Sequence, residues 1–301
     1  MGEYWTAIGE ADETSIRLLG QDLAADLIGR VGFGELAFWL VAQRRPGPGE
    51  LRLFEAVLVA LADHGFTPTV IAARLTLASA PESVQGALAA GLLGGGSRFL
   101  GVTEDCGRFL ADALSEAGLS EAGLTEAGLT EAGLSEAVRP ASGPSDQPPP
   151  RRQERAVPDS DAGWDELATE AVRRAHAAGR KVPGLGHPVH RGGDPRTPVI
   201  MRIADEEGVT GPHLRLFQAV GRVHPQIIGR TLPLNGAGVC GAALADLGFP
   251  ASILRGFALL ARAAGLLGHL AEELRSPVGL QIYQQVDRAV RYSPAQTGGT
   301  D

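Results

Sequence analysis

Apolar residues recur at helical spacing along most of the chain. In residues 50–63, Leu51, Phe54 and Leu58 fall on one face, which is typical of a helix that packs against a core on one side. Patterns of this kind predict helices over residues 33–44, 50–63, 71–80, 83–93, 161–178, 197–207, 213–223 and 251–275. Glycines and prolines separate these segments. We therefore predict an all-α fold.

One segment breaks this pattern. Residues 114–137 repeat the unit Leu-Ser/Thr-Glu-Ala-Gly, and a period of five residues matches neither a helix nor a strand. The following residues, 138–157, are rich in proline and carry charges of both signs, which is typical of a disordered linker. We predict that residues 114–158 are an insert with no part in catalysis.

Composition and charge exclude several classes of protein. The formal net charge is −8 and the sequence pI is near 5.4, and aromatic residues make up only 5% of the chain, so nucleic acid is not an expected partner. Cys106 and Cys240 are the only cysteines and form no metal-binding pattern, so no metal is expected. The N-terminal segment is acidic, and we expect no membrane-spanning run and a cytoplasmic location.

The most distinctive stretch is residues 181–196, Lys-Val-Pro-Gly-Leu-Gly-His-Pro-Val-His-Arg-Gly-Gly-Asp-Pro-Arg. Gly184 and Gly186 permit positive φ and a close approach of the backbone to a ligand, while the prolines restrict the chain on either side. His187 can exchange a proton near neutral pH, and the planar guanidinium groups of Arg191 and Arg196 match phosphates and carboxylates. The stretch favours an anion-binding loop, and a solvated turn between helices is the alternative.

Two further polar residues lie in apolar surroundings. Arg262 falls inside an apolar helical pattern, and a buried guanidinium requires a carboxylate or an anionic ligand. Asp246 and Glu272 are the candidate partners within the chain. Asn235 lies in an apolar, glycine-rich run, and its amide must bond to the backbone or to a ligand.

Two other positions carry a weaker signal. Gly94, Gly95 and Gly96 precede Arg98, and a glycine run of this kind can hold a phosphate or thioester oxygen through its backbone amides, although a flexible helix connection is the alternative. His64 follows the predicted helix 50–63, where a cap at the end of the helix is the alternative to contact with a ligand.

Three blocks of sequence together resemble the citrate synthase superfamily. They are residues 62–74, with Ala-Asp-His-Gly and Ala-Ala-Arg at their ends; residues 182–196, with Gly-His-Pro-Val and Asp-Pro-Arg; and residues 261–269, Ala-Arg-Ala-Ala-Gly-Leu-Leu-Gly-His. The chain looks nearest to the citryl-CoA lyases and to the lyase module of ATP-citrate lyase.

The resemblance implies an all-helical homodimer in which a large and a small domain close over oxaloacetate or citrate and coenzyme A. For this chain it implies a large domain of residues 1–101 and 235–301. The small domain would comprise residues 102–234 and would be interrupted by the insert.

The resemblance also implies roles for single residues. His187 would be the acid/base at the oxaloacetate carbonyl or the citryl hydroxyl, and His64 would contact the dicarboxylate. Our own hypothesis, for the cleavage direction, is that Arg98 holds the enolate oxygen together with the amides of the glycine run. The substrate-binding residues would be Arg196, Arg262, Asn235 and Arg275, the last one donated by the partner subunit. The coenzyme would contact the backbone of Val182, Pro183, Gly184, Leu185 and Gly186, and the side chain of Arg191.

Two departures from the synthase pattern bear on the reaction. Arg98 lies in the segment where synthases carry an enolate-stabilising histidine, and Ala237 replaces the catalytic aspartate of an Asn-Val-Asp-Gly motif. Loss of a general base typically costs about 10²–10⁴-fold in rate. We therefore expect an enzyme that makes or breaks the C–C bond between acetyl-CoA and oxaloacetate, with cleavage favoured. A catalytically silent binder of CoA thioesters or carboxylates is one alternative, and an enzyme for a related acyl-CoA and 2-oxo acid is another.

Overall fold

The structure, a computed structural model, describes residues 4–119 and 157–293. About 63% of it is helical, which confirms the predicted all-α class. The helices are α1 (Phe33–Ala42), α2 (Pro48–Ala62), α3 (Pro68–Ser79), α4 (Val84–Leu93), α5 (Val102–Glu116), α6 (Asp161–Ala177), α7 (Arg196–Glu206), α8 (Pro212–Ile228), α9 (Gly236–Asp246), α10 (Leu254–Arg275) and α11 (Gly279–Ala289).

Local signals in the sequence fix several helix ends. Pro68 and Pro212 occupy the first turns of α3 and α8, where the missing N–H has no helical partner to lose. Ser160 accepts a hydrogen bond from the N–H of Gly163 and caps α6. Gly229 ends α8 with a φ of 71°, a left-handed conformation that glycine adopts without strain. Every predicted helix is present, and its ends lie within a few residues of the predicted ones, except that α8 runs five residues further.

A small sheet at the N-terminal end was not predicted. The strands β1 (Gly9–Ala11), β2 (Ile16–Leu18) and β3 (Gln21–Asp22) pair in antiparallel order β1-β2-β3, with Glu10 opposite Arg17. The side chain of Asp12 accepts hydrogen bonds from the backbone N–H groups of Thr14 and Ser15, which closes the first turn. Strands of two or three residues are too short to give a readable alternation of polar and apolar positions.

The start of the predicted insert was wrong. Helix α5 continues through Leu114 to Glu116, and the Leu114 side chain is buried, because the apolar spacing of α5 extends into the first repeat unit. The chain is described again from Val157, and α6 begins at Asp161. The rest of the predicted insert, residues 120–156, lies outside the described residues.

The chain forms two compact units with boundaries other than the predicted ones. The first comprises Met1–Leu61 and Leu100–Ala258, and the second comprises Ala62–Phe99 and Leu259–Asp301. The predicted domains had instead joined residues 1–101 to residues 235–301. In the structure α9 packs against α5 and α8, so these three helices belong to the same unit.

The core of the first unit depends on close helix contacts and on an aromatic cluster. A Cβ atom at Gly241 of α9 would overlap the carbonyl oxygen of Thr103 in α5, so only glycine permits this approach. The aromatic cluster comprises Phe38, Phe54, Phe249 and Phe257. This packing buries α9 along most of its length and fixes the position of its N-terminus.

The second unit has a separate core, in which α3 and α4 pack against the second half of α10. The buried side chains are Val70, Ala73, Leu77, Ala87, Leu266 and Leu270. Gly91 of α4 lies so close to Leu266 that a Cβ atom there would come within 2.8 Å of its side chain. This core holds the second half of α10 in place beside the middle of α3, where Arg74 is buried.

Among the described residues, one stretch has the length and apolar composition of a membrane-spanning helix, Ala251–Arg275. The sequence reading had expected no such run. Length and composition are weak evidence by themselves, because the core helix of a globular protein passes the same test. Leu266 and Leu270 of this stretch belong to the core of the second unit.

Candidate functional site

Residues 181–196, here called the Gly-Pro loop, are pinned to the segment that precedes α9. The N–H of Gly186 donates to the carbonyl of Pro233 at 2.7 Å, and the N–H of Asn235 donates to the carbonyl of Gly184 at 2.9 Å. Between these bonds Leu185 forms an antiparallel bridge with Leu234. In this pairing the N–H and C=O of Leu185 point away from the partner segment. A ligand therefore has one backbone donor and one backbone acceptor at Leu185.

The two glycines of the loop are required by conformation, as the sequence predicted. Gly184 has a φ of 84° and Gly186 a φ of 81°. Gly184 is also closely packed, because a Cβ atom there would lie 2.6 Å from the ring of Phe217 and 3.0 Å from the sulfur of Cys106. The loop is therefore anchored in the core of the first unit at Gly184 and becomes more open toward Gly186.

Asn235 is almost fully buried and is bonded to the backbone at both ends of its amide. Its Oδ1 accepts a hydrogen bond from the N–H of Gly238 at 2.8 Å and caps α9. Its Nδ2 donates to the carbonyl of Gly186 at 2.8 Å. The sequence left backbone and ligand as alternative partners for Asn235, and these two bonds are to the backbone. They hold the Gly-Pro loop against the start of α9.

Asp194 and Arg196 form an ion pair where α7 begins. The Nε and Nη2 atoms of Arg196 donate to the two carboxylate oxygens of Asp194 at 3.0 and 2.8 Å, and its Nη1 donates to the carbonyl of Ala60 at 3.1 Å. The carboxylate also accepts the backbone N–H groups of Arg196 and Gly236. Burial opposes the charged form of Asp194, but the side-chain and backbone hydrogen bonds hold its pKa well below its usual range.

The Arg196 guanidinium has five N–H groups, and these bonds use three of them. Within the described residues, one N–H on each terminal nitrogen is left for a ligand. Asp194, Arg196 and Asn235, together with the backbone amides that they bond, are called the Asp194 cluster below. The sequence reading assigned Asp194 no role of its own, although it stands in the Asp-Pro-Arg block.

The His187 ring is oriented by the backbone of its own loop. Its Nδ1 accepts hydrogen bonds from the N–H groups of Val189 at 3.1 Å and of His190 at 3.0 Å, and its ring lies 4.5 Å from that of His190. An amide N–H can only donate, so Nδ1 is unprotonated and the neutral ring carries its proton on Nε2. His187 therefore presents a hydrogen-bond donor at Nε2. Of the acid/base role predicted from the sequence, this arrangement supports donation by His187 and not its action as a base.

The other predicted cations differ in exposure. Arg191 is exposed in the Gly-Pro loop, Arg98 is exposed in the turn after α4, and Arg275 is exposed at the end of α10. The prediction for the glycine run is not met, because the N–H groups of Gly94, Gly95 and Gly96 donate to carbonyl oxygens of the same turn. Arg98 is thus the group of this segment that can reach a ligand.

In the second unit, Arg262 is 5% exposed and has its Nη1 atom 3.8 Å from the carboxylate of Asp63. Neither of the partners suggested by the sequence fulfils that role. Asp246 instead caps α8 by accepting the N–H groups of Gly211, His213 and Leu214, and Glu272 pairs with Arg74. His64 is half-buried and follows the end of α2 by two residues.

Asp63 belongs to a chain of polar side chains that the sequence reading assigned no role. His269 Nε2 lies 2.9 Å from Asp63 Oδ1, and His269 Nδ1 lies 2.9 Å from Nη2 of Arg74, which is 1% exposed. Burial opposes the charge of Asp63, but the hydrogen bonds from the Gly65 N–H and from His269 lower its pKa. Asp63, Arg74, Arg262 and His269 are called the Asp63 cluster below. An arginine in the apolar pattern of residues 71–80 was the available signal.

Comparison with known proteins agrees with the fold and with these blocks of sequence. The family model described as "Citrate synthase, C-terminal domain" matches residues 153–282. Citryl-CoA lyase from Hydrogenobacter thermophilus is 25% identical with a TM-score of 0.73, over 99% of this chain and 97% of the lyase.

Two further solved structures are more distant and show the fold alone. ATP citrate lyase from Methanothrix soehngenii, in complex with citrate and coenzyme A, is 19% identical with a TM-score of 0.69, over 100% of this chain and 43% of that one. Citrate synthase from Pyrobaculum aerophilum is 20% identical with a TM-score of 0.54, over 90% of this chain and 54% of the synthase. The family model and the lyase structure support the resemblance to the citrate synthase superfamily that the sequence blocks carry.

Proposed function

We propose that the protein is an enzyme of the citryl-CoA lyase type, which acts on the C–C bond between the acetyl-CoA and oxaloacetate parts of citryl-CoA and runs mainly in the direction of cleavage. The observation that carries this proposal is the orientation of His187 in the Gly-Pro loop. Its donor at Nε2 is fixed by two backbone bonds, in the same loop that carries the paired Arg196. The lyase that matches nearly the whole chain supports the same activity.

In the cleavage direction the C–C bond breaks and its electron pair moves to the thioester as an enolate. The hydroxyl oxygen of the citryl group loses its proton to water and becomes the carbonyl oxygen of oxaloacetate, and the enolate carbon then takes a proton from water to give acetyl-CoA, so that one proton leaves and one returns. Negative charge thus develops on the hydroxyl oxygen as it loses its proton and then on the thioester oxygen. Fixed hydrogen-bond donors at these two oxygens lower the barrier.

His187 suits the first of these oxygens. A neutral ring that donates from Nε2 stabilises the alkoxide as the hydroxyl proton leaves, and in the reverse direction it polarises the carbonyl. Because both amides on Nδ1 are backbone groups, the donor at Nε2 does not depend on the position of another side chain. We assign the thioester oxygen to the guanidinium of Arg98.

The remaining predicted roles are kept in this proposal. The N–H and C=O of Leu185 suit the edge of an adenine ring, and the exposed Arg191 suits a phosphate of coenzyme A. Arg196, Arg262 and Arg275 would bind the carboxylates, and His64 would contact the dicarboxylate. Asn235 acts indirectly, because its amide fixes the backbone of the loop.

Cleavage of citryl-CoA by the purified protein tests the activity. Oxaloacetate release would be followed by its reduction with malate dehydrogenase and NADH. His187→Ala is expected to lower kcat by about 10²–10³-fold, the usual cost of removing one fixed donor to a developing oxyanion. His176→Ala, which changes an exposed histidine of α6, is the matched control and should retain wild-type activity. Binding of citryl-CoA by the wild type without release of oxaloacetate would instead support the silent binder.

Ala237 gives a test of direction. It lies in the first turn of α9, after the Asn235 cap, where an acidic side chain is compatible with the helix dipole. We expect Ala237→Asp to raise the rate of condensation of acetyl-CoA with oxaloacetate, because it adds a carboxylate where synthases carry their base. A folded Ala237→Asp variant with no gain in condensation would argue against the alignment of Ala237 with the catalytic aspartate of the synthases. Ala237→Asn, which lacks the charge, is the control.

We further propose that the protein is a homodimer and that Arg275 acts in the site of the partner subunit. Helix α11 supports this proposal, because Leu280, Tyr283 and Val286 are each more than half exposed along one side of it. Light scattering would measure the mass. Mixing inactive His187→Ala chains with inactive Arg275→Ala chains should then restore activity, since a mixed dimer holds one complete site. No restoration in mixed dimers would place Arg275 in the site of its own chain.

A further inference from the structure

Arg74 lies at the centre of the polar contacts in the second unit. Its Nη1 donates to Glu273 at 2.8 Å, and its Nη2 donates both to His269 Nδ1 and to Glu272. Glu273 is 4% exposed and also accepts the N–H groups of Val278 and Gly279. Burial opposes the charged form of Glu273, but these hydrogen bonds help to lower its pKa. The guanidinium is therefore held in one orientation from several sides, with the ring of Phe66 against its face.

This orientation fixes the tautomer of His269. A guanidinium has no lone pair to accept a hydrogen bond, so the contact of 2.9 Å requires an unprotonated Nδ1 on His269. The proton of the neutral ring is then on Nε2, which donates to Asp63 at 2.9 Å. Asp63 and Glu272 also face the ring, and the Arg74 donor occupies the lone pair of Nδ1.

Asp63, at the other end of this series of hydrogen bonds, contacts the segment that carries His64. Asp63 Oδ2 accepts the N–H of Gly65 at 2.9 Å, so the carboxylate closes the turn that contains His64, and Asp63 Oδ1 faces Arg262. Arg262, Gly265 and His269 share one face of α10, three and four residues apart. A Cβ atom at Gly265 would overlap the carbonyl oxygen of Ala62, so this glycine lets α10 approach Asp63 closely.

We infer that His269 is a positioning residue for the reaction: held by Arg74 in its neutral Nε2–H form, it bonds Asp63 and thereby orients Arg262 and the His64 turn toward the substrate. This inference rests on the proposed function in its last step only. The hydrogen-bonded chain Arg74–His269–Asp63 is a property of the protein without substrate, and it can be tested without any turnover.

Nitrogen-15 NMR of protein labelled at histidine tests the first part. The His269 signals, assigned by their loss in His269→Gln, should show an unprotonated Nδ1 and a protonated Nε2. In Arg74→Met, which keeps the volume but removes the donor, the Nδ1–H tautomer should become populated. A protonated Nδ1 in the wild type would overturn the inference, whether or not the protein cleaves citryl-CoA.

A matched pair of substitutions tests the second part. The amide of His269→Gln can replace Nε2 and still donate to Asp63, whereas the amide of His269→Asn can replace Nδ1 and loses the bond to Asp63. We expect His269→Asn to raise KM for citryl-CoA roughly 10- to 100-fold, the range for one hydrogen bond to a charged group, with a much smaller change in kcat. His269→Gln should stay close to the wild type.

The stability of both variants separates positioning from simple support of the fold. If His269→Asn and His269→Gln lost activity equally, in proportion to their loss of stability in urea, the positioning role would be wrong. If the protein showed no citryl-CoA cleavage, the proposed function would fail, while calorimetric binding of citrate or oxaloacetate to the same two variants would still decide the role of His269.

Discussion

The Asp194 cluster and the Asp63 cluster both hold a carboxylate beside an arginine, but they do so by different means. Asp194 is completed by backbone N–H groups and by an arginine two residues away in the chain. Asp63 accepts a backbone N–H, from Gly65, and also depends on side chains: His269, which is 206 residues away, and Arg74, which bonds His269. A site held by backbone groups tolerates changes in neighbouring side chains and depends on glycine and proline. A site held by side chains depends on every side chain in the hydrogen-bonded series.

The largest effect should follow from neutralising Asp194. Its carboxylate is fully buried and accepts bonds from Arg196 and from two amides. Removing one partner from a buried ion pair typically costs about 3–5 kcal/mol, and we expect Asp194→Asn to lower the free energy of unfolding in urea by an amount in this range. Asp165→Asn, which alters a surface pair with Arg222, should change it by less than about 1 kcal/mol. Equal effects would mean that burial does not distinguish the two pairs.

The Gly-Pro loop provides a graded test of its dependence on the backbone. Gly184 has a positive φ and no space, Gly186 has a positive φ and some space, and Gly192 has neither constraint. A left-handed conformation costs a non-glycine residue about 1–3 kcal/mol, and overpacking adds about 1–3 kcal/mol. Thermal and urea unfolding of the three alanine variants should give losses in the order Gly184, Gly186, Gly192. A loss at Gly192 as large as at Gly184 would contradict the assignment.

The sequence revealed the first cluster more fully than the second for a physical reason. In the Gly-Pro loop the histidine, the amides that orient it and the Asp-Arg pair all lie within ten residues, so their local spacing is informative. Asp63, Arg74 and His269 become neighbours only when α3 and α10 pack together. The apolar pattern located both helices within a few residues, but it does not say which face of α10 meets Asp63. The small N-terminal sheet was missed because its strands are too short.

The close approach of α10 to Asp63 depends on one glycine. Gly265→Ala places a methyl group against the carbonyl oxygen of Ala62, whereas Gly268→Ala, one turn further along the same helix, meets nothing within 4 Å. We expect Gly265→Ala to cost about 1–3 kcal/mol and to raise KM for citryl-CoA. Gly268→Ala should be neutral or stabilising by up to about 1 kcal/mol, since alanine favours helix. Unfolding in urea and steady-state kinetics would measure both. If the two variants behaved alike, the close approach at Gly265 would be in error.

The smallest effect, and the one that separates the two clusters most directly, is the dependence of stability on pH. The pKa values of Asp194 and Asp63 are both lowered in the folded protein, so each stabilises it fully above the unfolded value, about 3.9, and loses that contribution as the pH falls toward the folded value. The stability difference between the wild type and Asp194→Asn should therefore narrow in acid, by up to about 1.4 kcal/mol per pH unit. Asp63→Asn should show a smaller slope, because the Asp63 side chain is 45% exposed and its interactions are screened by solvent. Urea unfolding between about pH 3 and 5 measures both slopes. A steeper slope for Asp63 would mean that the side chains around Asp63 stabilise its charged carboxylate more than the backbone amides and Arg196 stabilise that of Asp194.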